Sequence, residues 1–276
     1  MNLVVQGPAL TDGDVEAISL LAKPAGVQPI AAHARRLVRA MRNEGLAALC
    51  EARRIDHAWM PEARRFADLK LVAMDMDSTL ITIECIDELG DFAGKKAEIA
   101  AVTAQAMRGE IEYRESLRRR VAALAGLEES TLSRIYEERL KLTPGAEALV
   151  AACKGHGIKL LLVSGGFTFF TERLKARLGI DYTISNALEV KQGRLTGALL
   201  GDIVDADAKA ARFREVLVSL KAAKEQSVAI GDGANDLRMM AEAVVSVAFR
   251  AKPVVRAQAT CAISWCGLDA VVNLFE

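Results

Sequence analysis

No run of about 18 uncharged apolar residues occurs in this chain, so a membrane-spanning helix is not expected. The N-terminus lacks a basic stretch followed by an apolar core; no secretory signal is evident, and a cytoplasmic location is expected. Cysteine is sparse. Cys50, Cys85, Cys153, Cys261 and Cys266 are odd in number and show no Cys-x-x-Cys spacing, which points to reduced thiols rather than a disulfide framework. Cys85 adjoins Glu84, and its expected role is that of a small buried hydrophobe. His33, His57 and His156 each lack a second ligand nearby in sequence, so a zinc site is not expected. Neither sign of charge prevails, with 36 basic and 36 acidic side chains, which argues against a general nucleic-acid or anionic-membrane binder. The basic cluster Arg118-Arg119-Arg120 is short, lies in a helical pattern and reads mostly as a solvated face.

What remains is the composition of a folded protein: 51% hydrophobic and 26% charged over 276 residues, enough for one large domain or a core with accessories. Its most informative segment is Asp75-Met76-Asp77-Ser78-Thr79, directly behind the apolar Leu71-Val72-Ala73-Met74. A short apolar run reads as a buried parallel strand, and in open α/β sheets sites form at the carboxyl ends of strands. Two carboxylates there call for a cation, a proton-transfer task or both; an ordinary helix N-cap is the competing reading. The design recurs. Ile158 to Val163 stops at Ser164-Gly165-Gly166, Val228 to Ile230 stops at Gly231-Asp232-Gly233-Ala234-Asn235-Asp236, and Lys209 stands between them in Asp207-Ala208-Lys209-Ala210. Singly these are a glycine turn, a solvated lysine and helix caps; their order and strand context make them one constellation.

Along the chain, residues 1–68 read as a small α+β unit. Asn2 to Gln6 forms a strand, and Thr11 caps a helix with an apolar face from Val15 to Leu21. Pro24 and Gly26 break the pattern, and a second helix is predicted from Ala31 to Glu44, ended by Gly45. Residues 69–83 and 144–276 form the core, and 84–143, helical in pattern and free of proline, a cap inserted at the strand end. Helices are predicted over Ala146 to Lys154 and Ala208 to Lys221. Tyr182 to Val190 and Arg194 to Leu200 form a hairpin through Gln192-Gly193, and strands follow at Val244 to Phe249 and Cys261 to Trp265.

In these motifs the chain resembles the haloacid dehalogenase superfamily of aspartyl-phosphate phosphatases, over about residues 70–258. Glu84 with Asp87-Glu88-Leu89, Ser116-Leu117-Arg118-Arg119-Arg120-Val121, and Ala251-Lys252-Pro253 are similar to the phosphoserine phosphatase family within it. The resemblance implies a Rossmann-like parallel sheet with a helical cap, to which the small N-terminal α+β unit is added. It also implies Mg²⁺-dependent hydrolysis of O-phospho-L-serine, the last step of L-serine formation. It assigns Asp75 as the nucleophile and Asp77 as the acid and then the base. Ser164, the Gly165 amide and Lys209 would bind the phosphate, and Asn235 would contact the phosphate or the nucleophile. Mg²⁺ would be held by Asp75, Asp232 and the backbone carbonyl of Asp77, with Asp236 orienting Lys209 or metal-bound water. Glu84 would take the substrate ammonium and Arg120 its carboxylate, while Met107 and Tyr113 would line the pocket.

The chain departs from the family at Tyr113, where many members have Phe, at Arg238, where a small residue is usual, and at Ala243-Val244-Val245-Ser246. The Tyr113 hydroxyl needs a partner if buried. The N-terminal unit loosely resembles an amino-acid-sensing module of the ACT type, though short for one. It is equally a scaffold or a homodimer contact. A phosphatase or phosphotransferase for another small phosphomonoester, and an amino-acid-sensing protein with little catalysis, are the competing functions.

Overall fold

The computed structural model describes residues 1–276. The N-terminal segment runs β1 (Asn2–Gln6), α1 (Asp12–Ala22), β2 (Gly26–Ala31), β3 (Ala34–Val38), α2 (Glu44–Ala52) and β4 (Asp56–Met60). This β-α-β-β-α-β order forms an antiparallel sheet β2-β3-β1-β4. Thr11 caps α1 through a reciprocal bond with Asp14, as its sequence suggested.

The predicted helix over Ala31 to Glu44 is not there. Its residues form most of a hairpin, and α2 starts at Glu44, capped by Asn43, so that Gly45 lies in its first turn rather than past its end. Tertiary pairing overrides the helical composition. Leu3 pairs with Leu37, and Arg36, nearly buried, donates to the Phe275 carbonyl at 2.5 Å.

The core is a seven-stranded sheet of order β11-β10-β9-β5-β6-β7-β8. Its strands are β5 (Leu71–Met74), β6 (Lys159–Phe167), β7 (Tyr182–Lys191), β8 (Arg194–Leu200), β9 (Ser227–Gly231), β10 (Val245–Phe249) and β11 (Cys261–Ile263). All neighbours pair in parallel except β7 with β8. β5 is buried on both faces: Val72 and Met74 join one apolar cluster, Leu71 and Ala73 the other. Each large side chain so buried stabilises the fold by roughly 1.5–3 kcal/mol. The order puts β9, β5 and β6 side by side, so the carboxyl ends that carry Asp232, Asp75 and Ser164 are neighbours. β6 continues through Ser164-Gly165-Gly166 to Phe167, with its register against β7 shifting after Val163.

The insertion after β5 contains α3 (Cys85–Phe92), α4 (Lys96–Met107), α5 (Tyr113–Ala122) and α6 (Ser130–Arg134), then a wide turn over Ile135–Arg139. Its two connections are zipped together, with Thr82 N–H donating to the Lys141 carbonyl and Thr143 N–H to that of Leu80, both at 3.0 Å. Its far side leans on the β7–β8 hairpin, where Gly126 and Leu127 exchange bonds with Leu195. The chain then forms α7 (Ala146–Gly155) before β6, α8 (Thr168–Leu178) after it, and α9 (Ala206–Ser219), α10 (Leu237–Glu242) and α11 (Pro253–Arg256) among the later strands.

No helix is long and apolar enough to cross a membrane. Four of the five cysteines are buried, Cys85 among them, and no disulfide forms.

Candidate active site

Asp75 follows β5 directly and is nearly buried. Its Oδ1 accepts from the Met76 N–H at 2.8 Å and from Lys209 Nζ at 2.9 Å. Lys209 lies in the first turn of α9, whose N-cap Asp205 accepts from Ala208 N–H, and none of its surface is exposed. Its second partner is Asp236 Oδ1 at 2.8 Å, and Asp236 Oδ2 accepts from Gly233 N–H at 3.1 Å. Burial opposes the lysine's charge, but the Asp236 and Asp75 carboxylates outweigh it and raise its pKa. Burial, then the Asp236 charge, drives Asp75 well above the ordinary carboxyl range, against the pull of Lys209.

Asp77 is held differently. After Met76 the backbone turns through Ser78 at φ 55°, a left-handed conformation that a short polar side chain tolerates better than a bulky one. Asp77 Oδ1 accepts from the Cys85 N–H at 3.0 Å, at the start of the cap. A Cβ on Gly166 would stand 2.6 Å from Asp77 Oδ2, so only glycine leaves room for this carboxylate. Burial, then the Glu84 charge, pushes Asp77 up to about 7. Asp232, half-buried, is pushed up to about 6 by burial and then by Asp236.

A cleft of about 720 Å³ between cap and core gathers Asp75, Asp77, Glu84, Met107, Tyr113, Arg120, Gly165, Asp232 and Asn235 on its walls. Ser164, Lys209 and Asp236 are not on that wall; they lie behind it, fully buried. Ser164 Oγ accepts from the Gly166 N–H at 2.8 Å, leaving its proton free to donate. Glu84 Oε1 accepts from Ser78 Oγ at 2.6 Å, and enclosure by the cleft raises its pKa. Arg120 is half-buried, its Nε reaching only the Ser116 carbonyl of its own helix at 3.4 Å. Met107, at the end of α4, is 66% exposed, so its contact with the cleft is at the rim. The Tyr113 ring packs against the core with its hydroxyl so close to Gly165 that a side chain at 165 would not fit.

The cleft has further charged residues that sequence reasoning did not place in the site. Arg114 of α5 reaches Asp205 at 2.6 Å, tying cap to core, and Arg238 pairs with Asp207. Lys252, just before α11, also lines it. Arg238 was visible as an unusual residue beside a motif, and Lys252 as part of Ala251-Lys252-Pro253. Nothing in the sequence located Arg114 opposite Asp205.

One carboxylate oxygen from each of Asp75, Asp232 and Asp236 lies within 4.8 Å of the others. Three carboxylates so close repel one another, which is the condition a divalent cation relieves. Asp236 has both oxygens engaged, whereas Asp232 and Asp75 Oδ2 accept no hydrogen bond from the protein. The donor set is all oxygen and fits a hard cation such as Mg²⁺.

A parallel sheet with carboxylates at the end of its central strand, a buried lysine and a helical cap defines a class, and comparison with known proteins agrees with it. The family profile of the haloacid dehalogenase-like hydrolases matches residues 72–241. A phosphoserine phosphatase of Polaromonas sp. is 54% identical over 217 residues, 77% of this chain and 92% of its own. The crystal structure of a probable phosphoserine phosphatase from Vibrio cholerae superposes with a TM-score of 0.86 at 37% identity, covering 99% of this chain and 86% of its own. A haloacid dehalogenase family hydrolase of Salmonella enterica gives 0.90 at 30% identity, with 100% and 98% covered. The chain belongs to the haloacid dehalogenase-like hydrolases and, within them, to the phosphoserine phosphatase family; it is an enzyme.

Proposed function

We propose that this enzyme hydrolyses O-phospho-L-serine to L-serine and phosphate through an aspartyl-phosphate, as the last step of L-serine formation in the cytoplasm. The observation that carries the reading is the ion triad Asp75–Lys209–Asp236 beneath a cleft that also holds Asp77, Glu84 and Arg120.

Phosphoserine enters with its phosphoryl group over Asp75. Ser164, the Gly165 amide, Lys209 and Asn235 bind phosphoryl oxygens and stabilise the charge that shifts among them. Glu84 takes the ammonium, Arg120 the carboxylate, and Met107 and Tyr113 flank the side chain. A free oxygen of Asp75 attacks phosphorus, a P–O bond forms to the carboxylate, and the bond to the serine oxygen breaks. Asp77, protonated near neutrality, gives its proton to that oxygen. Serine leaves, Asp77 now accepts a proton from water, and the water oxygen attacks the same phosphorus. Phosphate departs and Asp75 is restored. Mg²⁺ held by Asp75, Asp232 and the Asp77 carbonyl would supply positive charge beside the phosphoryl group, with Asp236 positioning Lys209 from behind.

In this reading residues 69–83 and 144–276 are the catalytic core and 84–143 the cap that selects the substrate. Residues 1–68 are an accessory unit of ACT-like order, available as a homodimer contact. Phosphate release from phosphoserine, phosphothreonine, phosphosugars and an aryl phosphate, with Mg²⁺, with EDTA and with Asp75→Asn, tests the reading. A strong preference for phosphoserine, lost in EDTA and in the variant, is expected. Equal turnover across the panel would refute the substrate assignment.

A further inference from the structure

Two cations face the cleft from opposite sides without a carboxylate partner. Arg120 comes from the cap helix α5, and Lys252 from the core. The Lys252 backbone is fixed. It is extended, as the residue before a proline tends to be, with φ −61° and ψ 152°. Pro253 opens α11, and the Lys252 N–H donates to the Asp232 carbonyl at 3.2 Å. The side chain is therefore carried by a rigid turn on the wall that also bears Asp232. Its charge acts on both Glu84 and Asp232, where burial raises each carboxyl and Lys252 is among the cations that oppose it. Glu84, Arg120 and Lys252 all line the cleft, whereas Lys209 is buried behind its wall.

We propose that Lys252 is a specificity-determining residue, which brackets the substrate's carboxylate from the core while Arg120 grips it from the cap. The inference rests on the phosphoserine reading above. An amino-acid head group offers one ammonium and one carboxylate; Glu84 is the acid for the first, and Arg120 and Lys252 are the cleft cations without a carboxylate partner that can meet the second. With a carboxylate between them, the two cations are both satisfied and cap is joined to core through the ligand. A substrate with an ammonium but no carboxylate leaves two like charges across a partly desolvated gap, which is repulsive. The pair therefore acts as an attraction for carboxylate-bearing phosphomonoesters and as a penalty against the rest.

The test compares kcat and KM for O-phospho-L-serine, O-phosphoethanolamine and an aryl phosphate in the wild type, Lys252→Met and Lys252→Arg, all as full chains with Mg²⁺. Loss of one charge-assisted contact should lower the phosphoserine-to-phosphoethanolamine ratio of kcat/KM about tenfold or more in Lys252→Met, mainly through KM, with the ratio recovered in Lys252→Arg. An equal fall for all three substrates would show Lys252 to act only as general screening for Asp232, and would overturn the inference while leaving the phosphoserine reading intact. A wild type with no preference for phosphoserine over phosphoethanolamine would overturn that reading itself, and the bracket with it.

Discussion

The Asp77 carboxylate accepts the backbone N–H of Cys85 at 3.0 Å, so the residue we propose as the proton donor is aimed by the first turn of the cap. The bond favours the ionised form, yet burial and then the neighbouring Glu84 outweigh it and set Asp77 at about 7. A donor poised there suits both halves of the proposed reaction, in which the acid of the first step is the base of the second. The value of kcat/KM for phosphoserine should fall as pH rises through about 7, because the free enzyme then loses its proton donor. Asp77→Asn should lower kcat by about 10²–10⁴-fold and abolish that limb. The loss should be smaller for an aryl phosphate, whose leaving group needs no proton. A pH profile that keeps its alkaline limb in Asp77→Asn would remove Asp77 from this role.

Metal-free stability should fall as pH rises toward neutrality. Asp75, Asp77 and Asp232 all have carboxyl groups raised in the fold, Asp232 to about 6 and Asp77 to about 7. A raised carboxyl binds its proton more tightly when folded than when unfolded. Its contribution is fully present below the unfolded value of about 3.9 and is lost as pH rises through the folded value. In EDTA the thermal midpoint should therefore decline between about pH 4 and 7. Mg²⁺ should restore most of it at the upper end, where its ligands are ionised. Thermal melts across pH with and without the metal measure this; a midpoint that rises with pH in EDTA would contradict it.

Lys209 offers a sharper contrast. It is wholly buried between Asp75 at 2.9 Å and Asp236 at 2.8 Å. Removing the cation leaves two buried carboxylates facing each other. Lys209→Met should destabilise the protein by about 3–5 kcal/mol at pH 8 in urea unfolding, as well as abolish turnover. The cost should shrink at pH 5, where protons can replace the lost charge. A loss independent of pH would mean that packing, not charge, sets the role of Lys209.

The parts of the fold that could be read from sequence are those with a local cause. β5, β6 and β9 are short apolar runs that end at polar residues, and the hairpin turns at Gln192-Gly193. The motif residues were therefore legible as strand-end groups, and the sheet order brings three of those ends together. What was missed has long-range causes. Residues 34–38 carry helix-compatible Ala, Arg and Leu and become β3 because β1 is there to pair with them and the C-terminal carbonyls hold Arg36. Arg114 meets Asp205 across 91 residues of sequence, a distance at which no spacing rule operates.

The same long-range logic governs the N-terminal unit. Asp56, buried at the start of β4, accepts from the backbone N–H groups of Ser264 at 2.7 Å, Trp265 at 3.1 Å and Cys266 at 2.9 Å, in the loop after β11. Arg36 holds the Phe275 carbonyl, Gln6 accepts from Asn273, and Val4, Ala58 and Met60 belong to the main apolar cluster. These contacts make the unit part of the core's support rather than a free appendage. Asp56→Ala strips three backbone donors of a charged acceptor in a buried place, and should cost at least about 3 kcal/mol in urea unfolding. A chain beginning at Arg65 should melt lower than the full chain even with Mg²⁺, because it exposes the apolar face that Val4 and Met60 cover. A tethered sensor would behave otherwise: its removal would leave the core's melting midpoint where it was and change only the response to added serine, so the two measurements together decide which work the first 64 residues do.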